Sequence, residues 1–459
     1  MYRRRLSYLT EWLSNARRKP LIVRGARQVG KSTLVRDFAV AAKLTLHEVN
    51  LEKHKELKSV LASNNAEKIF REFQIVIGRG NIDTPGALLF IDEIQAIPEA
   101  LEALRYITEG APGLPIIAAG SLLEFSLSDH EYSMPVGRVE YMFMGPLVFE
   151  EFLIAAGETV LFDYLKNFRM SDGVFSAVAH DRLLDYYRLF LLIGGMPEAA
   201  DVYLSTKDLT AMRKVQGSIV TTYRDDFAKY AKGAELLRLQ KMLDHVSVSI
   251  GEKIKYSNVD PDAKSTDIKR ALFLLHKAQV VELAYHASGG AAPLRAQSKF
   301  NIFKPYYLDC GLISYMHGDI SLKLTSPRLI DGKLAEQFIA QHLLALGDPM
   351  TRPELYYWLR EAKQSNAEVD FLIALRGDIF PVEVKSGTAG VLKSLHQFMA
   401  SKDSRLAIRF SQNIPDLSEV TYRLTNRSDH RSDSGTFKLL SLPFYMVGQL
   451  ERVVGEVLA

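Results

Sequence analysis

Eight consecutive residues, Gly25-Ala26-Arg27-Gln28-Val29-Gly30-Lys31-Ser32, fit the pattern G-x-x-x-x-G-K-[ST], and Thr33 follows them. Glycines let backbone N–H groups wrap a phosphate without side-chain clashes, and the helix that follows adds its positive end. In this arrangement Lys31 reaches the β- and γ-phosphates of ATP, and the Ser32 hydroxyl binds Mg²⁺. An apolar strand before the loop and a helical pattern after it argue against a chance glycine turn. Downstream, Leu88-Leu89-Phe90-Ile91 ends in Asp92-Glu93. Asp92 would join the Mg²⁺ shell, and Glu93 would orient or deprotonate the attacking water. Ser121, after another apolar run, is a candidate contact for the γ-phosphate or the water, and Arg138 a candidate arginine finger or sensor. Arg27 is a candidate phosphate contact.

These residues need a frame. Leu21–Val23, Leu44–Val49, Leu88–Ile91, Ile116–Ala119 and Val139–Phe143 read as five strands. Helical stretches at Ser32–Ala42, Leu57–Phe73 and Glu99–Glu109 separate most of them. Such alternation predicts an α/β fold with a parallel sheet covered on both faces. A lead-in helix is expected from Leu6, Leu9, Leu13 and Ala16. The basic runs Arg3–Arg5 and Arg17-Arg18-Lys19 read as solvated faces.

At about 150 residues per domain, 459 residues suggest about three domains. The pattern divides the chain into a P-loop domain over 1–149, a helical lid or connector over 150–233, and a winged-helix-like module over 234–332. An α/β domain over 333–459 closes the sequence. The winged-helix reading rests on a helix from Ser265 to Lys277 and two strands, Val280–His286 and Phe300–Leu308. Lys264, Lys269, Arg270 and Lys277 make that helix basic enough to meet DNA phosphates, although Asp260, Asp262 and Asp267 dilute it. In the last part a helix at Leu334–Leu346 precedes strands at Glu368–Leu375 and Ile379–Val384, turned by Arg376-Gly377-Asp378. Residues 426–435 read as a polar loop.

A second constellation lies there. Residues two apart in a strand share a face, so Glu383 and Lys385 point one way while Val382 and Val384 point into the core. Asp370, on the preceding strand, comes alongside, and Glu336 projects from the helix. The plain alternative is a hairpin with charges on its wet face. His342, six residues after Glu336, has the wrong spacing to share that site.

Gly25–Ser32, Asp92-Glu93, Ala119-Gly120-Ser121, Gly137-Arg138 and Pro146-Leu147 with Glu150-Glu151-Phe152 resemble the bacterial and archaeal AAA-type ATPases. The closer likeness is to the branch whose C-terminal half is a domain of unknown function, and Tyr307-Leu308-Asp309 before Gly311 is similar to that half. Ser121 stands where AAA proteins more usually carry Asn or Thr. Asp370 with Glu383-Val384-Lys385 resembles the PD-(D/E)XK nuclease core. That resemblance implies Mg²⁺ held by Asp370 and Glu383, Glu336 assisting, and Lys385 steadying the nucleophile or the developing charge. The implied function is an ATPase whose cycle controls a nuclease-like domain acting on nucleic acid, DNA foremost. The alternative is an ATP-dependent switch or scaffold whose C-terminal domain binds without cutting. A metabolic kinase shares the P-loop but leaves Glu336–Lys385 unexplained.

Composition narrows the field. Lys+Arg 57 against Asp+Glu 54 gives a net charge of +3, which excludes a histone-like polycation but not a local basic groove. Hydrophobic residues at 47% and charged residues at 24% exclude a long disordered chain. Cys310 is the one cysteine, so no intrachain disulfide and no multi-cysteine zinc site can form. No apolar run follows Arg3–Arg5 as a signal peptide would require, and none spans a bilayer. The expectation is a cytoplasmic protein with no membrane partner, a nucleic-acid partner, and a homo-oligomer or protein partner as further options.

Overall fold

The computed structural model describes residues 1–121, 123–126, 137–318, 332–360, 367–386, 392–402, 404–425 and 432–459. The chain forms two compact units. One holds Met1–Leu147 with Lys277–Val280 and Gly347–Pro353; the other holds Val148–His276, Val281–Leu346 and Glu354–Ala459.

In the first unit, strands β1 (Leu21–Arg24), β2 (Thr45–Asn50), β3 (Ala87–Asp92), β4 (Ile116–Gly120) and β5 (Glu140–Phe143) form one sheet in the order β2-β3-β4-β1-β5. Every pairing is parallel. The register sets Val49, Ile91, Ala118 and Ile22 in one row, and these join a core with Phe73, Leu101 and Leu104. β3 and β4 are buried along their whole length, as a sheet covered on both faces requires. The long helix expected over Leu57–Phe73 is instead broken into Lys58–Ala62 and Ala66–Ile77. Asn64 between them has φ 53°, and the Asn65 side chain caps the second helix by accepting from the Lys68 N–H. The lead-in helix runs Arg5–Ser14 and stops short of Ala16. Its approach is not a solvated face, because Arg3 is buried and donates to the Val29 carbonyl at 3.1 Å and the Gly145 carbonyl at 2.6 Å.

The second unit contains an eight-stranded mixed sheet. Its strands are β6 (Val281–Ala287), β7 (Ser298–Tyr307), β8 (Leu355–Leu359), β9 (Glu368–Leu375), β10 (Asp378–Val384), β11 (Leu406–Ser411), β12 (Asp416–Thr425) and β13 (Ser432–Pro443). The order is β12-β13-β11-β10-β9-β8-β6-β7. β8, β9 and β10 run antiparallel, and the helix Lys393–Ser401 leads to β11, parallel to β10. The β9–β10 turn has only two residues, Arg376 at φ 54° and Gly377 at φ 91°, the left-handed pair a tight hairpin demands. The loop expected over 426–435 lies partly outside the described residues, and β13 already begins at Ser432.

Two expectations about the middle of the chain change. The strands read as a wing, β6 and β7, pair with each other, and β6 pairs with β8, so they extend the C-terminal sheet and do not form a module of their own. Arg270 on the supposed DNA-contact helix is engaged with Glu235 at 2.8 Å. The helical stretch after Glu150 shares its core with the C-terminal part of the unit. Phe190, on the helix Ala177–Ile193, packs edge-on against Phe338 at 5.6 Å, and Tyr187 stacks on Phe444 at 5.0 Å. Physically, a hairpin with an open edge and helices with apolar faces find the nearest partner, and here that partner comes from later in the sequence.

The Gly194-Gly195 break is a lock between two backbones. Asp309 is fully buried and accepts from the Gly195 N–H at 2.6 Å, the Leu312 N–H at 3.1 Å and the Gln341 amide at 3.1 Å. Burial pushes its carboxyl up to about 6, against these donors, which pull the other way. A Cβ on Gly194 would stand 2.1 Å from Asp309 Oδ1, at a φ of 77°. Gly194→Ala is therefore expected to cost about 2–4 kcal/mol, read as a lower urea midpoint with unchanged slope.

Candidate functional sites

The first site stands at the carboxyl ends of β1, β3 and β4. The loop after β1 is held by close approach and by strained backbone. A Cβ on Gly25 would lie 2.1 Å from the Met144 carbonyl oxygen, and Gln28 and Gly30 take φ of 63° and 91°. Gly30 ends the loop and the helix Lys31–Ala41 begins. Lys31 is buried and folds back to donate to the carbonyls of Gly25 at 2.9 Å and Ala26 at 2.7 Å. Burial lowers its ammonium to about 8, although Glu93 and Asp92 oppose the shift.

Ser32 Oγ donates to Asp92, 3.0 Å from both carboxylate oxygens, and the Asn50 amide reaches one of them at 3.4 Å. Burial, with Glu93 beside it, raises the Asp92 carboxyl. A hydroxyl and a desolvated carboxylate converging at the foot of an anion-binding loop fit a hard divalent cation, Mg²⁺. Glu93 has φ 52° and takes a hydrogen bond from the Gln95 amide. Ser121 is buried and its Oγ accepts from Arg27 Nε at 3.3 Å, which joins the loop to the end of β4. Ala26 and Val29 are buried within the loop. Thr33 is exposed. Arg138 is also exposed, in the turn before β5, and takes part in none of the hydrogen bonds or ion pairs of this group among the described residues. Val136, beside it, lies outside those residues.

Three contributors were not visible in the motifs. Arg3 braces the loop at Val29, Asn50 reaches Asp92 from β2, and Gln95 holds Glu93. Separations of 26 and 42 residues hid the first two; Gln95 lay two positions from a singled-out residue.

The second site is a cluster of carboxylates and lysines in which Glu383 and Lys304 are buried and Glu336, Glu368, Asp370 and Lys385 half-buried. β9 and β10 carry Asp370 and Glu383, and the Val384 N–H donates to Asp370 Oδ2 at 2.7 Å, which fixes one carboxylate against the other strand. Lys385 Nζ lies 2.5 Å from Glu383 Oε1. Glu336, from the helix Gly332–Leu346, accepts from the Tyr306 hydroxyl at 2.5 Å. The wet-face alternative is excluded for Glu383, which is 4% exposed in a strand buried from Ile379 to Val384. Sequence reasoning missed Lys304, Tyr306 and Glu368. Lys304, 2% exposed, pairs with Glu368, lies 3.8 Å from Glu336, and sits 4.8 Å over the Tyr357 ring. A lysine amid Phe303, Tyr306 and Tyr307 was the signal available.

Desolvation, with Asp370 next, raises the Glu336 carboxyl to about 8 and Glu383 to about 7. Burial raises Asp370 as well, although Lys304 draws it down. Among the described residues no group of three or more His, Cys, Asp or Glu is arranged to hold a metal ion. The cluster is closed by the ammonium groups of Lys304 and Lys385. Its donor set nevertheless fits a divalent cation: it is all oxygen, and Glu383 Oε2 is buried without a hydrogen-bond partner. His342 stands apart, accepting from the Phe149 N–H at 2.8 Å. Glu150 and Glu151 are structural too: Glu151 caps its own helix at the Val148 N–H, and Glu150 accepts from the Gln449 amide at 2.5 Å.

Residues 17–153 match the family model described as an AAA domain. Residues 184–326 and 331–445 match two models, each described as a domain of unknown function, DUF8612 and DUF4143. No curated protein matches the chain. Among solved structures, one match is a Signal Transduction ATPase with Numerous Domains (STAND) protein with a tetratricopeptide repeat sensor, from Pyrococcus horikoshii. It is 14% identical with a TM-score of 0.27, over 76% of this chain and 46% of that one. Another is C. elegans PCH-2, at 10% identity and TM-score 0.27, over 44% of this chain and 61% of that one. This chain thus spans less than two thirds of either.

Proposed function

We propose that the AAA domain at residues 17–153 binds and hydrolyses ATP with Mg²⁺, and that this cycle controls a Mg²⁺-dependent nuclease-like domain acting on nucleic acid, DNA first among candidates. The observation that carries the first half is the convergence of Lys31, Ser32, Asp92 and Glu93 on one loop. The second half is carried by the meeting of Glu336, Asp370 and Lys385 around the buried Glu383.

Lys31 exchanges its two carbonyl partners for phosphate oxygens, and backbone N–H groups of the loop wrap the same anion. Ser32 and Asp92 would hold Mg²⁺ here, and Asp370 and Glu383 would hold it in the second unit. When bound, the ion neutralises phosphate charge and polarises the bond to be cut. Glu93 takes a proton from the attacking water, while Ser121 and Arg27 stand where β4 meets the loop. In the second unit Glu336 orients water and Lys385 offsets negative charge that develops on phosphate oxygens. Arg138, being exposed, can serve a neighbouring copy of the chain as a finger or sensor.

A second reading has one observation in its favour. Lys304 is already paired with Glu368 and Lys385 with Glu383. On that reading the C-terminal domain binds DNA or a protein partner without cutting, and ATP sets its conformation. Protein incubated with DNA or RNA, Mg²⁺ or Mn²⁺, and ATP, beside an Asp370→Ala/Glu383→Ala control, separates the two. Cleavage by the first protein alone supports the nuclease; identical products from both sink it. No helix among the described residues is long and apolar enough to cross a membrane. A cytoplasmic site of action is part of the proposal.

A further inference from the structure

We infer that Gln95 is a positioning residue for Glu93, and that it can act only because position 120 is a glycine. The inference rests on the ATP-hydrolysis reading and adds a residue to it. Immediately after β3 the backbone turns sharply. Glu93 takes φ 52° and ψ 47°, its N–H donates to Asp92 Oδ1 at 3.1 Å, and Ile94–Ala96 form a single tight turn. A non-glycine residue in the left-handed region costs about 1–2 kcal/mol, so something must hold it there.

The turn brings the Gln95 side chain back under Glu93. Gln95 Nε2 donates to Glu93 Oε2, which fixes one carboxylate oxygen and with it the carboxylate plane. The other end of the same amide lies over the end of β4. A Cβ on Gly120 would stand 2.3 Å from Gln95 Oε1 and 3.3 Å from Ile94 Cγ2. Gly120 pairs with Arg24 in ordinary strand register, and its φ is not in the left-handed region. Its lack of a side chain therefore gives room to the amide and not freedom to the backbone. The next residue, Ser121, accepts from Arg27 of the phosphate loop. Gln95 thus holds Glu93 through its Nε2, while its Oε1, buried without a hydrogen-bond partner among the described residues, packs over the glycine that ends β4.

The experiment measures phosphate release and, separately, nucleotide affinity for Gln95→Ala, Gly120→Ala, the double variant, and Gln95→Ala in a Glu93→Gln background. Gln95→Ala is expected to lower kcat by about 10–100-fold, within the span a positioned general base supplies. Nucleotide Kd should stay within about twofold, because the amide touches no ligand-binding group. Gly120→Ala should match it, and the double variant should be no worse than either single change, since both remove one contact. In the Glu93→Gln background the Gln95 change should add nothing. Wild-type kcat in Gln95→Ala overturns the inference, as does a further tenfold loss in the double variant. Should Gly120→Ala fail to fold, Gln95→Ala and the Glu93→Gln background decide alone. A wild-type protein that releases no phosphate fells the ATP-hydrolysis reading, and this inference with it.

Discussion

Lys31→Ala is expected to abolish phosphate release, by a factor of at least about 10²–10³, the usual loss when one charged stabiliser of a transition state is removed. The geometry says why. Without nucleotide the ammonium spends its hydrogen bonds on Gly25 and Ala26 and, among the described residues, has no carboxylate partner at hydrogen-bond distance. Deleting it removes a desolvated charge, and the space left by the shortened side chain lets water take its place at the two carbonyls. Folding stability should therefore change little while turnover disappears, a split that circular dichroism and a phosphate assay read together. The lowered ammonium, about 8, gives a pH signature. A phosphate beside Lys31 favours the protonated form, so nucleotide binding takes up a proton once the free protein has begun to lose it. Affinity should fall as pH rises from 7 to 9 in the wild type and stay flat over that range in Lys31→Ala. Undiminished turnover in the variant would overturn the nucleotide assignment.

Lys304→Ala should be the most damaging change in the second unit. It removes the ammonium shared by Glu368 and Glu336 while leaving both carboxylates in place, and breaking a buried ion pair from one side costs about 3–5 kcal/mol. The sign with pH is definite. Glu336 and Glu383 hold protons in the folded state up to about 8 and about 7, against 4.5 unfolded. The folded state thus binds more protons between those limits, and wild-type stability falls as pH rises through them. Without Lys304 the carboxyls rise further, and the fall becomes steeper. The loss of stability should be smaller near pH 5, where Glu336 and Glu383 are protonated, and larger near pH 8. Thermal melting of Lys304→Ala and Lys304→Met at both pH values reads it; an equal shift at pH 5 and pH 8 would sink the account. Mg²⁺ or Mn²⁺ that enters the cluster must release protons, so it should restore stability at pH 8 and do little at pH 5.

Much of the first unit was legible because its signals are local. Short runs of three to six residues rich in apolar side chains marked all five strands, and the loop pattern fixed the site's centre. The break at Ser63–Asn65 was not, since helical periodicity continues across it and only a left-handed Asn64 interrupts the chain. In the second unit the β9–β10 hairpin was legible from its turn, and so were Asp370, Glu383 and Lys385. The partners of β6 and β7 were not, because alternation specifies a strand but not the edge it joins. Lys304 was hidden for the same reason: it meets Glu336 and Glu368 only once β7 and β9 share a sheet. Arg3 read as one of three surface arginines until its carbonyl partners, some 26 and 142 positions away, were in place.

That pairing of β6 with β8 has a consequence for inheritance. The two family matches in this part of the chain meet between residues 326 and 331, where a recombination breakpoint would look harmless in a sequence comparison. In the folded molecule it would separate β6 and β7 from β8 to β13, strands of one sheet. A gene that acquired the later segment alone would carry β8 with a bare edge, and Glu336 without Tyr306 or Lys304. The two segments should therefore be exchanged between genes as a single cassette, and lineages that keep one should keep the other.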